Sequence, residues 1–239
     1  MTQIKVPRGN TQKGVNETVV RLLSENVDFT VPSVLLDIPC GAGEFARYLQ
    51  SSYPRLKVVG VDIIKHPDVN FEFHQMEAHT YLKNVSPESF NVITCVSGIM
   101  CFDQIRDLFA CFHGALNSSG LLIVTNDNFM TVRDRLNFIF FGCFKRFKLI
   151  YNNNEGIWNI LPPQALAMHL RRNNFKNIRF EYASVYMEDW PLIPLALIVY
   201  PFFLTYLILL KSDLSIRERL NLFPLKSLIG RHYVVVARK

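Results

Sequence analysis

The chain has 239 residues, 49% of them apolar and only 19% charged, with a mean hydropathy of +0.14 and a formal net charge of +6. So large an apolar share offsets the entropy of ordering a chain, which excludes disorder, and the length suits one domain over residues 1–239. Cys40, Cys95, Cys101, Cys111 and Cys143 form no CxxC pair and no Cys/His zinc spacing, so a disulfide scaffold is excluded, no metal is expected, and buried thiols are.

Charge divides the chain. Up to Asn126 there are 10 Lys and Arg against 12 Asp and Glu, and from Asp127 onward 16 against 8, so the two halves are expected to do different jobs. The opening residues MTQIKVPRGN hold no apolar run of signal-peptide length, and a reducing, cytoplasmic location is the expectation.

In chain order, a helix over Gly14–Asn26 leads to an apolar strand, Val34–Ile38, and a helix over Glu44–Tyr53. Strands Lys57–Asp62, Val69–His74 and Phe90–Val96 follow, then a helix over Asp103–Leu116 that Asn117-Ser118-Ser119-Gly120 stops, then strand Leu121–Asn126. Strands alternating with helices build an α/β, doubly wound sheet, and two late strands, Asn177–Tyr186 and His232–Arg238, bring it to seven. The blocks Phe129–Lys148 and Trp190–Gly230 are too long for ordinary loops. With their flanks they make inserts over 129–160 and 187–231, read as a lid or a membrane-associating cap.

The segment Leu35–Leu49, LLDIPCGAGEFARYL, carries the most chemistry. Gly41 and Gly43 let the backbone turn tightly beneath a ligand, the helix that follows presents free N–H groups, and Asp62 at the end of the next strand is placed to accept from two ribose hydroxyls. A dinucleotide fingerprint wants a third glycine where Ala46 stands, and Asp37 at the strand end sits badly beside a pyrophosphate. Asp37 suits a ligand with an amino group and no phosphates. An NAD(P)-dependent oxidoreductase is therefore the weaker rival, and a non-catalytic membrane-binding module a third.

Four segments in order, LLDIPCGAG, VVGVDI, SFNVITCVSGIMCF and LNSSGLLIVTNDN, resemble the motifs of class I S-adenosylmethionine-dependent methyltransferases, of the type 11-like kind, over about Leu35–Asn128. The resemblance implies a Rossmann-like seven-stranded sheet, mostly parallel with an antiparallel last strand, helices on both faces, and an apolar helical insert before that strand. It implies S-adenosylmethionine as cofactor and S-adenosylhomocysteine as product. Asp37, Gly41 and Gly43 would line the methionine moiety, Asp62 would bind the ribose, Ile63 would pack on the adenine, Glu77 and Ala78 would sit beside its amine, and Ser97 would face the methyl donor. Asn91 replaces the family's usual Asp, and no Asn/Asp-Pro-Pro-Tyr motif follows the fourth strand, which disfavours nucleic-acid bases as acceptors.

Methyl transfer needs the acceptor held in line with the sulfonium carbon, and a base where a proton must leave. Asp127, just past the fifth strand, is the candidate, ahead of His113, His169 and Glu155. Farther on, GLLIVTNDNFMTVRDRLNFIFFGCFKRF, ILPPQALAMHLRRNNF and LIGRHYVVVARK are similar to methyltransferases found with bacterial surface-polysaccharide assembly genes, although Asn126-Asp127-Asn128 stands where these usually have Thr-Pro-Asn. That likeness implies O-methylation of a glycan, lipid-linked sugar or other amphipathic acceptor, with a quinone or small hydrophobic molecule as the alternative.

Pro191–Leu210 holds twenty residues without a charge, the length of a membrane span. A single crossing would place the last strand across the bilayer from its neighbours in the sheet, and Pro201 should divide the run into pieces of about nine residues, each about 14 Å as helix. A half-depth hairpin or an in-plane pair is therefore expected. Lys211, Arg217, Arg219, Lys226 and Arg231 flank it, while Phe138, Phe140, Phe141, Phe144 and Phe147 stand among Arg133, Arg135, Lys145, Arg146 and Lys148. Basic residues beside bulky apolar ones suit a membrane surface, a lid or an oligomer contact more than a nucleic acid.

Overall fold

The computed structural model describes residues 5–64, 70–145, 147, 149–150 and 159–239. Helix α1 (Val15–Asn26) precedes β1 (Ser33–Asp37), then come α2 (Glu44–Ser52), β2 (Leu56–Asp62), β3 (Glu72–Gln75), α3 (Ala78–Asn84) and β4 (Phe90–Cys95). Helix α4 (Ile105–Ala115) runs straight into β5 (Leu116–Asp127), followed by α5 (Val132–Phe141), α6 (Pro163–Arg172), β6 (Lys176–Ala183), α7 (Ile193–Leu209), α8 (Ile216–Leu222) and β7 (His232–Arg238). The strands form one sheet in the order β3-β2-β1-β4-β5-β7-β6, parallel except for β7, which is antiparallel to both neighbours. This is the mixed, Rossmann-like seven-stranded arrangement that the sequence resemblance implied.

Near-continuous apolar runs such as Leu35-Leu36 and Val58-Val59 suit strands covered on both faces. One face carries the apolar stripes of α1 and α2, where Val19, Leu23, Phe45 and Leu49 pack on Leu35, Val58 and Val234. The other carries Phe109 and Phe112 of α4, Leu166 and Leu170 of α6, and Tyr233 of β7.

Several boundaries depart from the sequence expectation. Strand β5 starts at Leu116 because that buried side chain pairs with Phe90, and the polar stop signal becomes an irregularity within the strand, with Ser119 at φ +65°. Strand β6 ends at Ala183 because Ser184 turns left-handed at φ +64°. Val69, expected to open the third strand, lies outside the described residues. The thiols are less uniformly buried than expected: Cys40 and Cys95 are buried, Cys111 and Cys143 partly so, and Cys101 is exposed, with no disulfide among them.

The largest correction concerns the uncharged run. Pro201 does not divide it: α7 is one helix of 17 residues, preceded by a 3-10 turn over Met187–Leu192. Proline removes one helical N–H bond. Ala196, Phe203 and Leu207 recur along one stripe and pack on the body, which outweighs that loss. Met187–Leu209 is long and apolar enough to cross a bilayer by length and composition. Its ends, however, return to one place, since Ala183 pairs with His232 across β6 and β7.

Buried polar bonds close this return. Asn128 Nδ2 donates to Ser227 O (2.8 Å) and Gly230 O (2.7 Å), and Arg231 forks onto Asp189 with two bonds of 2.8 Å. Replacing Asn128 with Ala leaves two buried carbonyls unmet, so urea unfolding of this variant should show a loss of about 1–3 kcal/mol. A midpoint unchanged from the parent would remove Asn128 from the ties that hold the insert.

Candidate active site

A cavity of about 420 Å³ opens where β1, β2 and β4 end, on the side where the strand order reverses between β1 and β4. Crevices at such switch points are where open α/β sheets bind ligands. Asp37, Gly41, Asp62 and Ser97 line it, four of the residues named from the sequence.

Local chemistry explains the loop. Gly41 has φ +54° with nothing within 4 Å of a would-be Cβ, and Gly43 has φ +72° as the residue that opens α2. Both need glycine for backbone conformation, and at Gly41 room is not the constraint. At Gly98 the reason is crowding, since a Cβ would lie 2.2 Å from Cδ of Pro39, another residue of the cavity wall.

The acids are held in fixed positions. Asp62 Oδ2 accepts from Gly41 N–H (2.8 Å) and Oδ1 from Ile64 N–H (3.0 Å), which ties the glycine loop to the end of β2. Asp37 is buried and accepts from the Thr94 hydroxyl (2.8 Å). Burial pushes its carboxyl up from 3.8 to about 7, against the Thr94 bond, and the nearby Asp62 charge adds to the rise. A cation in the cavity would reverse that penalty. Burial, with Asp37 and Asp62 adding to it, also raises the Cys40 thiol far above its usual range, so it is no nucleophile at neutral pH.

The other named residues are placed differently. Gly43 is outside the cavity lining, and Ile63 is exposed, while its neighbour Ile64 lines the wall. Ala78, the first residue of α3, is buried in the core. Glu77 caps α3, accepting from His79 N–H (2.9 Å) and Thr80 N–H (2.7 Å). His113 packs edge-on against Phe175, and His169 stacks on Phe109, both away from the cavity. Glu155 lies outside the described residues.

Asp127 lines a second, smaller cavity of about 180 Å³ with Gln12, Phe129 and Arg133. Its Oδ1 lies 3.1 Å from Nδ1 of His232, its cross-strand partner in the β5–β7 register. Nε2 of the same ring is 3.1 Å from the Thr125 hydroxyl and 3.4 Å from the Ser97 hydroxyl, which in turn lies 2.6 Å from that of Thr11. Thr125 Oγ1 accepts from Ser97 N–H (2.9 Å), and because the Asp127 carboxylate can only accept, Nδ1–H points to it and Nε2 is left as the acceptor that the Thr125 and Ser97 hydroxyls face. A hydrogen-bonded chain thus runs from a buried carboxylate to hydroxyls on the main cavity wall. Ser97 sits at φ +53°, a conformation costly for a residue with a Cβ and held here by these bonds.

The N-terminal stretch supplies a wall that no motif marked. Arg8, Gly9, Asn10 and Thr11 line the main cavity, pinned by Asn16, whose Nδ2 donates to Pro7 O (2.8 Å) and Arg8 O (3.2 Å). Asn16 Oδ1 also belongs to this wall and is buried without a hydrogen-bond partner. An orphaned acceptor of this kind, in the same cavity wall as the buried Asp37 carboxyl, suits a ligand that brings N–H donors.

No curated protein sequence matches the chain. Among solved structures, it resembles a SAM-dependent methyltransferase from Archaeoglobus fulgidus at TM-score 0.60 and 20% identity, over 95% of this chain and 96% of that one. It also resembles Haemonchus contortus phosphoethanolamine N-methyltransferase 2, in complex with phosphomonomethylethanolamine and S-adenosylhomocysteine, at 0.56 and 17%, over 97% of this chain and 55% of that one. A third is Burkholderia thailandensis 1,6-didemethyltoxoflavin-N1-methyltransferase, at 0.56 and 13%, over 95% and 79%. These likenesses are of fold. A family model for a methyltransferase domain matches residues 11–179, and with most of its length so covered the chain belongs to the methyltransferase domain family and is a methyltransferase.

Proposed function

We propose that this methyltransferase takes its methyl group from S-adenosylmethionine and passes it to a hydroxyl of a small or lipid-linked amphipathic acceptor, such as a glycan or lipid-linked sugar. The observation that carries the donor is the acceptor-rich cavity: Asp37, Asp62 and the unpartnered Asn16 Oδ1 line it with the glycine loop, and among the described residues Arg8 is the one basic side chain that does. Asp37 and Asn16 suit the ammonium of the methionine moiety, Asp62 keeps lone pairs for the ribose hydroxyls, and two acids disfavour a pyrophosphate. When bound, the donor supplies an electrophilic methyl on a sulfonium.

The chain from Asp127 through His232 to Ser97 supports an acceptor that loses a proton. Asp127 fixes the ring with Nε2 as acceptor, and Ser97 is the member that meets the cavity. A hydroxyl near Ser97 would hand its proton through Ser97 Oγ to Nε2 as its oxygen attacks the methyl carbon, and Asp127 would stabilise the imidazolium. His232 and Asp127 thereby act as positioning and proton-holding groups behind Ser97. The small-molecule acceptors bound by the Haemonchus and Burkholderia enzymes support a small acceptor here. The likeness of the C-terminal segments to surface-polysaccharide methyltransferases supports a glycan, and the apolar inserts also suit a quinone or other hydrophobic molecule.

Calorimetric titration should show binding of S-adenosylmethionine and S-adenosylhomocysteine and none of NAD(H). Binding of NAD(H) alone would sink the assignment. Asp62→Ala should weaken the donor by about tenfold or more, the worth of one or two charge-assisted bonds.

Donor affinity should rise with pH up to about 7 and then level, because the ammonium draws Asp37 into its charged form and a proton leaves on binding. Between 3.8 and about 7 the folded, donor-free protein holds this proton more tightly than the unfolded chain, so Asp37's contribution to stability falls as pH rises through that window. Asp37→Asn should abolish the slope in affinity; a slope that survives would remove Asp37 from the ammonium site.

Turnover can be followed by transfer of labelled methyl into a glycan and lipid extract. His232→Gln should lower kcat by about 10²-fold or more with donor affinity unchanged. An equal loss in donor affinity would mark His232 as a structural support only.

A further inference from the structure

Among the described residues, the insert between β6 and β7 has an apolar face that no other element covers. One side of α7 is turned inward, with Ala196 on Val132 of α5 and Leu207 in the main core. The other side shows Leu197, Ile198, Phe202, Tyr206 and Leu209, from 52% to 75% exposed. Over Met187–Leu209 the mean hydropathy reaches 2.3 and only 11% of the most apolar stretch is buried. The Thr205 hydroxyl on that side is spent within the helix, donating to Pro201 O (2.9 Å). Nearby, the last turn of α5 exposes Phe138, Ile139, Phe140 and Phe141 together, so it projects beyond the body to which Val132 and Leu136 anchor it.

Three observations select a lipid surface as what covers this face. First, a protein partner would expect about one hydrogen bond per 100–200 Å² of interface, and the exposed side of α7 carries no charge and little else to bond. Second, the charges around it complement anionic headgroups. Lys211 directly follows the uncharged run, and Arg217 and Lys226 are exposed on the returning chain against one exposed acid, Asp213, whereas Glu218 is paired with Arg171, and Glu188 and Asp189 at the other end are already paired with Arg133 and Arg231. Third, Trp190 and Tyr206, exposed near the two ends of the helix, are the side chains that favour the membrane–water boundary.

Geometry sets the mode of contact. The insert leaves β6 and returns to β7 at paired positions, and the 17-residue helix, about 25 Å long, is fastened along its inner side. A crossing would strip Ala196 and Leu207 from their packing. We propose that the exposed side of α7 and the tip of α5 form an in-plane docking face that seats the enzyme on a bilayer rich in anionic phospholipid. The inference rests on surface composition and connectivity alone, independently of the donor or acceptor assigned above.

Flotation of the full-length protein with vesicles of phosphatidylcholine, with and without phosphatidylglycerol, tests it. The parent should float with the anionic vesicles and less with the neutral ones. Phe202→Glu and Phe140→Glu, both at exposed positions, should each reduce the bound fraction by about tenfold or more, and Lys211→Glu with Arg217→Glu by about tenfold on anionic vesicles only. Unchanged far-ultraviolet circular dichroism and S-adenosylmethionine titration report that the variants fold. Three results would overturn the proposal: no flotation of the parent, flotation of Phe202→Glu equal to the parent, or a parent dimer in light scattering that Phe202→Glu dissolves, which would assign the face to a second copy.

Discussion

Seven residues at the end of the chain, His232–Arg238, pair with β5 on one side and β6 on the other and run antiparallel to both. A strand that enters last and in the middle can be satisfied in one register only, because Tyr233, Val235 and Ala237 fill one core and Val234 and Val236 the other. A slip of one residue would exchange these sets. The same register sets His232 opposite Asp127 and Ala183, and so fixes two distant matters together: the ring beside the β5 carboxylate, and the closeness of the two ends of the long insert. The buried hydrogen-bonded chain and the flat-lying apolar helix are both products of where β7 is pinned.

Patterns that are local in sequence were legible. Alternating strands and helices, and the order of glycine loop, acid and following strands, located most of the sheet and four residues of the main cavity wall. Less legible was anything that depends on residues far apart. His232 is 105 positions from Asp127, and no spacing rule connects them before the strands are paired. The N-terminal wall at Arg8–Thr11 carries no motif because its place follows from Asn16, a buried amide on α1 that reaches back to its backbone.

At Pro201 a local rule met a competing force. Proline should interrupt a helix, yet the inward stripe of α7 carries enough packing to continue it through Pro201. Glu77 suits a ligand amine by position, but its carboxylate satisfies two N–H groups at the start of α3, a use that short helices need equally. Ile63 and Ile64 are both exposed just past β2, and it is Ile64, whose N–H bonds Asp62, that lines the main cavity.

Tyr186 joins the two halves that the charge division separated. Its hydroxyl meets Gln12 Oε1 (2.6 Å) and accepts from Lys13 N–H (3.2 Å), and its ring lies under the Arg231 guanidinium (4.5 Å). Its own N–H donates to Asp189 at the root of the insert (3.1 Å). The strip that walls the main cavity and the first turn leading into the apolar helix therefore meet at one residue. One aromatic side chain thus serves both sides of the charge boundary, and its removal would loosen the N-terminal strip and the root of the insert at once.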